Sequence, residues 1–175
     1  MVTGEQGRSM RIAGKIEEVR SIVNRARSEG ASVGLVPTMG AIHAGHLSLV
    51  RRAVQSDDFV VVSIFVNPTQ FGPGEDYEEY PRNLEKDAQL LEGHDASLIF
   101  SPSPQEMYGP RFATHGEVEG LTDVLCGAYR SGHFRGVTTV VTKLFNIVQP
   151  DRAYFGRKDY QQYVVIDRMA RDLNI

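Results

Sequence analysis

The stretch VGLVPTMGAIHAGH, residues 33–46, combines an apolar run with a turn and the start of a helix. Residues 33–36 predict a short buried strand, and the sequence PTMG at 37–40 predicts the turn that ends it. After this turn, apolar residues recur at helical spacing: Leu47, Val50, Ala53 and Val54. A strand that passes through a tight turn into a helix is the repeating unit of α/β proteins, so this stretch indicates an α/β fold.

The same alternation of strands and helices continues on both sides of this unit. Apolar runs predict further strands in three ranges: 59–66, 97–100 and 152–155. Apolar residues at helical spacing predict further helices that begin at Ile12 and that cover 84–91, 137–148 and 163–173. The order therefore predicts a doubly wound parallel α/β sheet with flanking helices.

Three details refine this expectation. Residues 59–66 are almost entirely apolar, which is typical of a central parallel strand buried on both faces. Pro81 precedes the helix at 84–91 and is expected in its first turn. Residues 104–134 show no clear period and contain several glycines, so no element is predicted there.

Composition limits the classes of function. The chain has 175 residues and a net charge of -3, so one folded domain is expected and nucleic acid is not expected as a partner. The only cysteine, Cys126, is expected to be a small buried apolar residue. Residues 1–9 are polar and are expected to form a flexible tail before a domain at 10–175.

The sequence also shows no stretch typical of a membrane span or a signal peptide. The longest apolar run, residues 59–66, is too short to span a bilayer, so no membrane partner is expected. The first ten residues lack the apolar core of a signal peptide, and a single cysteine suits a reducing compartment. These features predict a cytoplasmic protein.

The sequence HAGH places two histidines directly after the first strand and its turn. His43 and His46 are three positions apart, so both rings can lie on one side of the first helical turn. The free N–H groups and positive dipole end of a helix start suit a phosphate, and Gly40 and Gly45 allow a close approach. Two alternatives remain: a turn with one capping and one surface histidine, and a metal pair for which no third ligand is evident.

Two more strand ends carry polar side chains that could bind a ligand. Asn67 and Gln70 follow the strand at 59–66 and could orient a polar substrate. For this motif taken alone, an Asx turn that ends the strand is the favoured interpretation. Lys158 follows the last strand and could meet a phosphate as a point charge. Asp159 and Gln162 have the spacing of a helix N-cap and the third helical position, which predicts a variant capping box.

The sequence YRSGH at 129–133 offers a further candidate for anion binding. Arg130 and His133 are close to glycines in the irregular region, and a solvated surface loop is the competing interpretation.

Three segments closely resemble the pantoate–β-alanine ligase family: VPTMGAIHAGHLSLV at 36–50, VVSIFVNPTQFGPGEDYEEYPR at 61–82 and PDRAYFGRKDYQQ at 150–162. Their order and spacing agree with that family, and the resemblance runs from about residue 10 to residue 175. It implies a Rossmann-like domain of the HxGH nucleotidylyltransferase superfamily.

The resemblance also implies an activity. The family uses ATP and Mg²⁺ to join pantoate to β-alanine through a pantoyl adenylate, with release of pyrophosphate and AMP. Its members are usually homodimers and carry a smaller C-terminal lid domain, together with a phosphate-binding loop that contains Ser and Arg. Neither is recognisable in these 175 residues, so the chain is expected to be an isolated N-terminal domain with impaired turnover.

Residue roles follow from the resemblance by position. The implied ATP-binding residues are Pro37, Thr38, Met39, Gly40, His43, Gly45, His46, Gly156, Arg157, Lys158 and Asp159. The implied pantoate- or β-alanine-binding residues are Gln70, Gln162, Asn67 and Arg130. The implied catalytic residues are His46, His43 and Lys158, and no residue is expected to ligate a metal. Arg157 stands where many members of the family have glutamate.

Two other functions fit the same motifs. Another HxGH nucleotidylyltransferase would release pyrophosphate without needing β-alanine. A noncatalytic nucleotide-binding or dimerising module would bind ligands without turnover.

Overall fold

The computed structural model describes residues 10–175, so the predicted flexible tail at 1–9 lies outside the described residues. Five parallel strands form one sheet in the order β1-β4-β3-β2-β5. The strands are β1 (Arg11–Ala13), β2 (Val33–Thr38), β3 (Phe59–Ile64), β4 (Leu98–Phe100) and β5 (Arg152–Ala153). The doubly wound parallel sheet predicted from the sequence is therefore confirmed, with β3 at its centre.

Seven α-helices connect and cover the strands within residues 10–175. They are α1 (Ile16–Ser28), α2 (Ala44–Val54), α3 (Leu84–Glu92), α4 (Pro104–Met107), α5 (Cys126–Tyr129), α6 (His133–Val148) and α7 (Tyr160–Leu173). Short 3₁₀ helices follow β3 at Pro68–Gln70 and β5 at Arg157–Asp159. No helix in this described range is both long enough and apolar enough to cross a membrane.

Alternating side chains of the strands build two separate cores, one on each face of the sheet. On one face, Phe59 and Val61 of β3 pack with buried residues of α1, α6 and α7. On the other face, Val60 and Val62 pack with α2 and with Leu91 of α3. Helices on both faces explain why β3 is apolar throughout, because neither face of that strand meets solvent.

The first predicted helix begins later than expected, and a strand precedes it. Residues 11–13 pair with β4 as the edge strand β1, and α1 begins at Ile16. Ile12 lies four positions before Ile16, so it matches helical spacing by coincidence. In the strand, Ile12 is 50% exposed whereas Ala13 is buried, which is the alternation of an edge strand.

Three further expectations are wrong in detail. Pro81 lies outside α3, because Asn83 caps that helix by accepting a hydrogen bond from the Lys86 N–H. Cys126 is exposed rather than buried, because it begins the short surface helix α5. The last strand ends at Ala153 instead of residue 155, since its pairing with β2 covers only two residues.

Candidate active site

A cleft opens at the carboxyl ends of β2 and β5, where the chain reverses its direction of travel across the sheet. The chain passes outward from β2 through β3 to β4 and then returns to add β5 on the other side of β2. This reversal is the position at which open α/β sheets bind ligands. The cleft is open to solvent and has a volume of about 170 Å³.

The cleft brings together predicted site residues from all three motifs. Its lining includes seven of them: Pro37, Thr38, Met39, His46, Gln70, Asp159 and Gln162. The amides of Gln70 and Gln162 come from distant parts of the chain, and His46 lines the same space. Residues of separate sequence segments thus converge on one concave surface.

His43 and His46 form a stacked pair at the start of α2. The ring centroids are 4.1 Å apart with an interplanar angle of 26°. His43 is the N-cap of the helix, and its Nδ1 accepts a hydrogen bond from the Gly45 N–H at 3.0 Å. Because Nδ1 accepts, the ring proton of neutral His43 lies on Nε2. The capping interpretation is therefore confirmed, and it is compatible with a ligand at Nε2.

His46 is held in its neutral form by its surroundings. Burial lowers the pKa of His46 most, and the neighbouring His43 lowers it further, while Asp87 and Asp159 raise it. The Nδ1 atom of His46 is buried and has no hydrogen-bond partner among the described residues. A neutral imidazole at a cleft wall can donate or accept a hydrogen bond without first losing a proton.

Asn67 is buried behind Gln70 and is occupied by bonds within the protein. Its Oδ1 accepts hydrogen bonds from the Thr69 N–H at 3.3 Å and from the Tyr108 hydroxyl at 2.7 Å. Its Nδ2 donates to Gln70 Oε1 and to the Gly136 carbonyl, each at 3.1 Å. The Asx-turn interpretation is confirmed for Asn67. Its side chain also fixes the Gln70 amide, whose Nε2 remains directed toward Met39 at the cleft.

Arg130 lies on the far side of Gln70 and carries an ion pair rather than an open anion site. Its guanidinium contacts both carboxylate oxygens of Glu75, at 2.7 and 2.8 Å. This contact is the main reason that the pKa of Glu75 is lowered to about 2. Arg130 is absent from the lining of the cleft, so the structure places it beside the predicted pantoate-binding residues but not in the same cavity.

His133 joins this ion pair to the backbone of Gln70. Arg130 Nη1 lies 3.2 Å from His133 Nε2, and His133 Nδ1 lies 2.8 Å from the Gln70 carbonyl oxygen. Arginine only donates, so Nε2 accepts and the ring proton of His133 is on Nδ1. Burial is the largest cause of a lowered pKa at His133. Gln70 is thus fixed through both its side chain and its carbonyl.

The last motif contributes Asp159 and Gln162 to the cleft but leaves its lysine outside. Gly156, Arg157 and Lys158 do not line the cleft, and the last two are exposed. Asp159 occupies the N-cap position of α7 as predicted, but its side chain makes no capping hydrogen bond. The predicted capping box is therefore wrong, and Asp159 lines the cleft that also holds His46.

Several lining residues were not identified from the sequence. Phe65, Tyr80 and Phe155 reach the cleft from three separate loops. One side of the cleft is formed by the α6 residues Val137, Val140, Val141 and Leu144. The α6 residues are evident in the sequence as a helical apolar stripe, but the spacing of a cleft wall is identical to that of a core face. Within residues 10–175, no group of three His, Cys, Asp or Glu side chains could hold a metal ion.

Comparison with known proteins agrees with this geometry. The sequence matches the family described as pantoate-beta-alanine ligase over residues 11–175. A pantothenate synthetase from Moorella thermoacetica is 62% identical over 165 residues, which cover 94% of this chain and 58% of that relative. The chain thus spans less than two thirds of the length of this relative.

Solved structures give the same result. The pantothenate synthetase from Thermus thermophilus superposes with a TM-score of 0.90 at 55% identity, covering 94% of this chain and 58% of the other. The pantoate-beta-alanine ligase from Francisella tularensis, complexed with beta-gamma ATP and beta-alanine, also gives a TM-score of 0.90, at 42% identity. It covers 95% of this chain and 64% of the other. The Rossmann-like fold expected from the sequence is confirmed, and the chain belongs to the pantoate–β-alanine ligase family.

Proposed function

We propose that this chain binds ATP and pantoate for the condensation of pantoate with β-alanine to pantothenate. The observation that carries the proposal is the convergence of His46, Gln70 and Gln162 on one cleft at the switch point of the sheet. The relatives support the assignment, since they are pantothenate synthetases. The solved relative from Francisella tularensis holds an ATP compound together with β-alanine.

The reaction has two displacement steps. A carboxylate oxygen of pantoate bonds to the α-phosphorus of ATP, the bond to the bridging oxygen breaks, and pyrophosphate leaves. The ammonium group of β-alanine first loses a proton, and the resulting amine attacks the acyl carbon. AMP leaves with the electrons of the acyl–oxygen bond, and a second proton leaves the nitrogen as the amide forms. Neither step needs a protein nucleophile, so alignment of the reactants and stabilisation of charge are sufficient.

The chain supplies both requirements. Gln70 and Gln162 are proposed to hold pantoate by hydrogen bonds, with Asn67 acting through the orientation of Gln70. His43 donates from Nε2 to a phosphate oxygen, and the neutral ring of His46 donates to the same group. Nε2 of His43 is free to donate because its Nδ1 already accepts from the Gly45 N–H. The lowered pKa of His46 favours its neutral ring, which still carries one N–H donor.

The remaining predicted residues act at the edges of the cleft. Pro37, Thr38 and Met39 line the cleft. The nucleotide is proposed to lie against them and to reach Gly40 and Gly45, while Gly156, Arg157 and Asp159 contact it from the β5 side. Lys158 is exposed, so its ammonium is free to move toward a bound phosphate. Arg130 binds the substrate carboxylate only if that group replaces Glu75.

Mg²⁺ belongs to the ATP substrate in this proposal. Mg²⁺ keeps several waters and binds phosphate oxygens readily, so the phosphates of ATP are its proposed ligands. We therefore assign no residue to the metal and no step of the protein's chemistry to it.

The working form of the enzyme is proposed to be a cytoplasmic homodimer. Sedimentation of the chain at increasing concentration tests the dimer.

We also propose that residues 1–175 alone catalyse the reaction slowly. The residues matched in the Moorella thermoacetica relative make up 58% of its length, so more than a third of that enzyme has no counterpart in this comparison.

The binding test is calorimetric titration of the chain with a nonreactive analogue of pantoyl adenylate, with AMP as the comparison ligand. We expect the analogue to bind at least about tenfold more tightly than AMP, since it adds the pantoate contacts. Gln162→Leu should remove most of this difference, whereas the control Gln89→Leu on the exposed side of α3 should keep it. Equal affinity for both ligands contradicts a pantoate pocket in this chain.

The catalytic test is single-turnover release of pyrophosphate from ATP with pantoate, using the chain in excess. His46→Ala is expected to slow this release by more than about tenfold, because a phosphate hydrogen bond is lost. His115→Ala, at an exposed ring outside the cleft, is the control. AMP release that depends on both pantoate and β-alanine separates a ligase from another nucleotidylyltransferase, and binding without any turnover indicates a noncatalytic module.

A further inference from the structure

Asp87 is a buried carboxylate that the sequence motifs do not include. It lies on α3 and is only 3% exposed. Among residues 10–175 it has no basic side chain at ion-pair distance, although several ion pairs occur elsewhere in that range. A buried charge without a partner is costly, so its hydrogen bonds must account for its position.

Those hydrogen bonds come from the backbone of the turn that precedes the two histidines. Asp87 Oδ2 accepts from the Ala41 N–H at 2.9 Å, and Oδ1 accepts from the Ile42 N–H at 2.8 Å. The next residue along the chain is His43, the N-cap of α2. Asp87 therefore holds the two peptide groups that lead directly into the stacked histidine pair.

The turn is shaped around this carboxylate. Gly40 has φ +86° and Ala41 has φ +50°, so two successive residues adopt the left-handed region. The N–H groups of Ala41 and Ile42 both point to the Asp87 carboxylate, in the manner of an anion-binding turn. A Cβ atom on residue 40 would lie only 3.0 Å from Asp87 Oδ2. The concave N–H surface that could bind an external anion is thus filled by an anion of the protein itself.

The third N–H group of the turn is also occupied. The Gly40 N–H donates to Thr38 Oγ1 at 3.1 Å, and the Thr38 hydroxyl donates to the Ser63 carbonyl at 2.8 Å. All three peptide groups at 40–42 are therefore engaged inside the protein. A nucleotide phosphate is left with the histidine rings and the first peptide groups of α2.

We propose that Asp87 is a positioning residue that holds the 40–42 turn from within, so that His43 and His46 face the nucleotide and phosphate is directed to the start of α2. The inference rests on the proposed function, because it assigns the turn to nucleotide binding. Asp87 acts through the turn and touches no reacting atom.

The charge of Asp87 also reaches the histidine pair, which provides a second readout. His46 is buried beside His43, and the charges that raise its pKa are those of Asp87 and Asp159. Replacing Asp87 by a neutral residue of the same shape should therefore lower the pKa of His46 further. This shift reports the loss of the charge itself, whereas amide exchange at Ala41 and Ile42 reports the loss of the hydrogen bonds to the turn.

The first test is amide hydrogen exchange of the unmodified chain, followed by NMR. Ala41 and Ile42 lie outside helices and strands, and yet their exchange should be slowed at least about a hundredfold relative to an exposed turn. Exchange at the rate of an exposed turn would overturn the proposal without the need for any variant.

The second test compares Asp87→Asn with Glu85→Gln, an exposed carboxylate on the same helix. Asparagine keeps one acceptor oxygen but sets its own NH₂ against the other peptide N–H. We expect exchange at Ala41 and Ile42 to accelerate by about tenfold or more, the pKa of His46 to fall, and affinity for the adenylate analogue to fall by about tenfold. Glu85→Gln should change none of these.

The outcomes separate this inference from the proposed function. A folded Asp87→Asn chain with protected amides refutes the holding role, and released amides with unchanged analogue affinity refute the positioning role. If the unmodified chain does not bind the analogue, the proposed function fails, and hydrogen exchange still decides whether Asp87 holds the turn. If Asp87→Asn does not fold, the exchange rates of Ala41 and Ile42 in the unmodified chain decide whether Asp87 holds the turn.

Discussion

At the scale of single residues, hydrogen bonding selects the neutral tautomer of His43 and of His133, whereas burial governs His46. His43 accepts at Nδ1 from a helix N–H and so carries its proton on Nε2, whereas His133 accepts at Nε2 from Arg130 and carries its proton on Nδ1. Within residues 10–175, His46 has no such bond at Nδ1, and burial is the main influence on its pKa. The three imidazoles therefore present different groups to the solvent and to a ligand.

The first prediction concerns the protonation of His46. Its pKa should lie below 6.5 in the folded chain, because burial and His43 outweigh the charges of Asp87 and Asp159. A titration of the ring C–H signals by NMR measures this pKa, and His46→Gln identifies the signal by its loss. A midpoint at or above 6.5 would contradict the assignment of a neutral ring at neutral pH.

At the scale of elements, α6 has two functions. Its stripe of apolar residues packs on the sheet and also forms one side of the cleft. Its first turns lie against the Pro68–Gln70 helix, where the Gly136 carbonyl accepts from Asn67. A Cβ atom on residue 136 would lie 2.3 Å from the Thr69 carbonyl oxygen. The position of Gln70 thus depends on the absence of a side chain in α6.

Gly136→Ala should therefore destabilise the chain by about 1–3 kcal/mol, despite the better helix propensity of alanine, because the two backbones must separate. Urea unfolding measures the loss. Gly93→Ala is the matched control, since the nearest atom to its added Cβ is at an ordinary 3.7 Å and its φ is -67°. Equal unfolding midpoints for the two variants would show that the close approach at Gly136 carries no cost.

The elements that could be predicted from the sequence are those with long or two-sided apolar patterns. β3 and α6 satisfy this condition, and the predictions for them err only at their ends. β1 was missed because a three-residue edge strand has too few residues to show a period. The irregular region at 104–134 contains two four-residue helices, which leave no repeating pattern either.

The site could be predicted only in part, and for a similar reason. His46 and Gln70 belong to short polar motifs at strand ends, so the sequence offers them directly as candidates. Gln162 is a candidate for ligand binding only through the family resemblance. Asp87 sits on an amphipathic helix among other acidic residues, and nothing in its spacing distinguishes it from a solvated carboxylate. Contacts that depend on a distant element, such as Arg130 with Glu75, have no local signal.

At the scale of the whole molecule, three side chains with lowered pKa values should reduce the free energy of unfolding in acid: His46, His133 and Glu75. The pKa values of His46 and His133 are lowered by burial, so the unfolded chain binds more protons as the pH falls through 6.5. The pKa of Glu75 is lowered to about 2 by Arg130, so its stabilising effect is complete above 4.5 and is lost as the pH falls toward 2. The histidines thus act as the pH falls through 6.5, and Glu75 acts at lower pH, between 4.5 and about 2.

The unfolding free energy should consequently fall continuously from about pH 7 to about pH 3, rather than at one step. Urea midpoints measured at several pH values test this behaviour. Glu75→Gln should flatten the decline below 4.5, whereas the decline near 6.5 should persist, because loss of the Glu75 charge lowers the pKa of His133 further. A constant midpoint between neutral pH and about pH 5 would show that the histidines do not contribute.

The pairing of β5 with β2 has a consequence for how the protein is made. The Val33 N–H bonds to the Asp151 carboxylate across 118 positions, so the two sides of the cleft meet only after most of these 175 residues are available. Contacts between such distant residues form late and slow the folding reaction. A ribosome adds about 5–20 residues per second, so β2 remains unpaired on its β5 side for several seconds during synthesis. The nascent chain therefore completes the cleft only after β5 and the start of α7 have been synthesised.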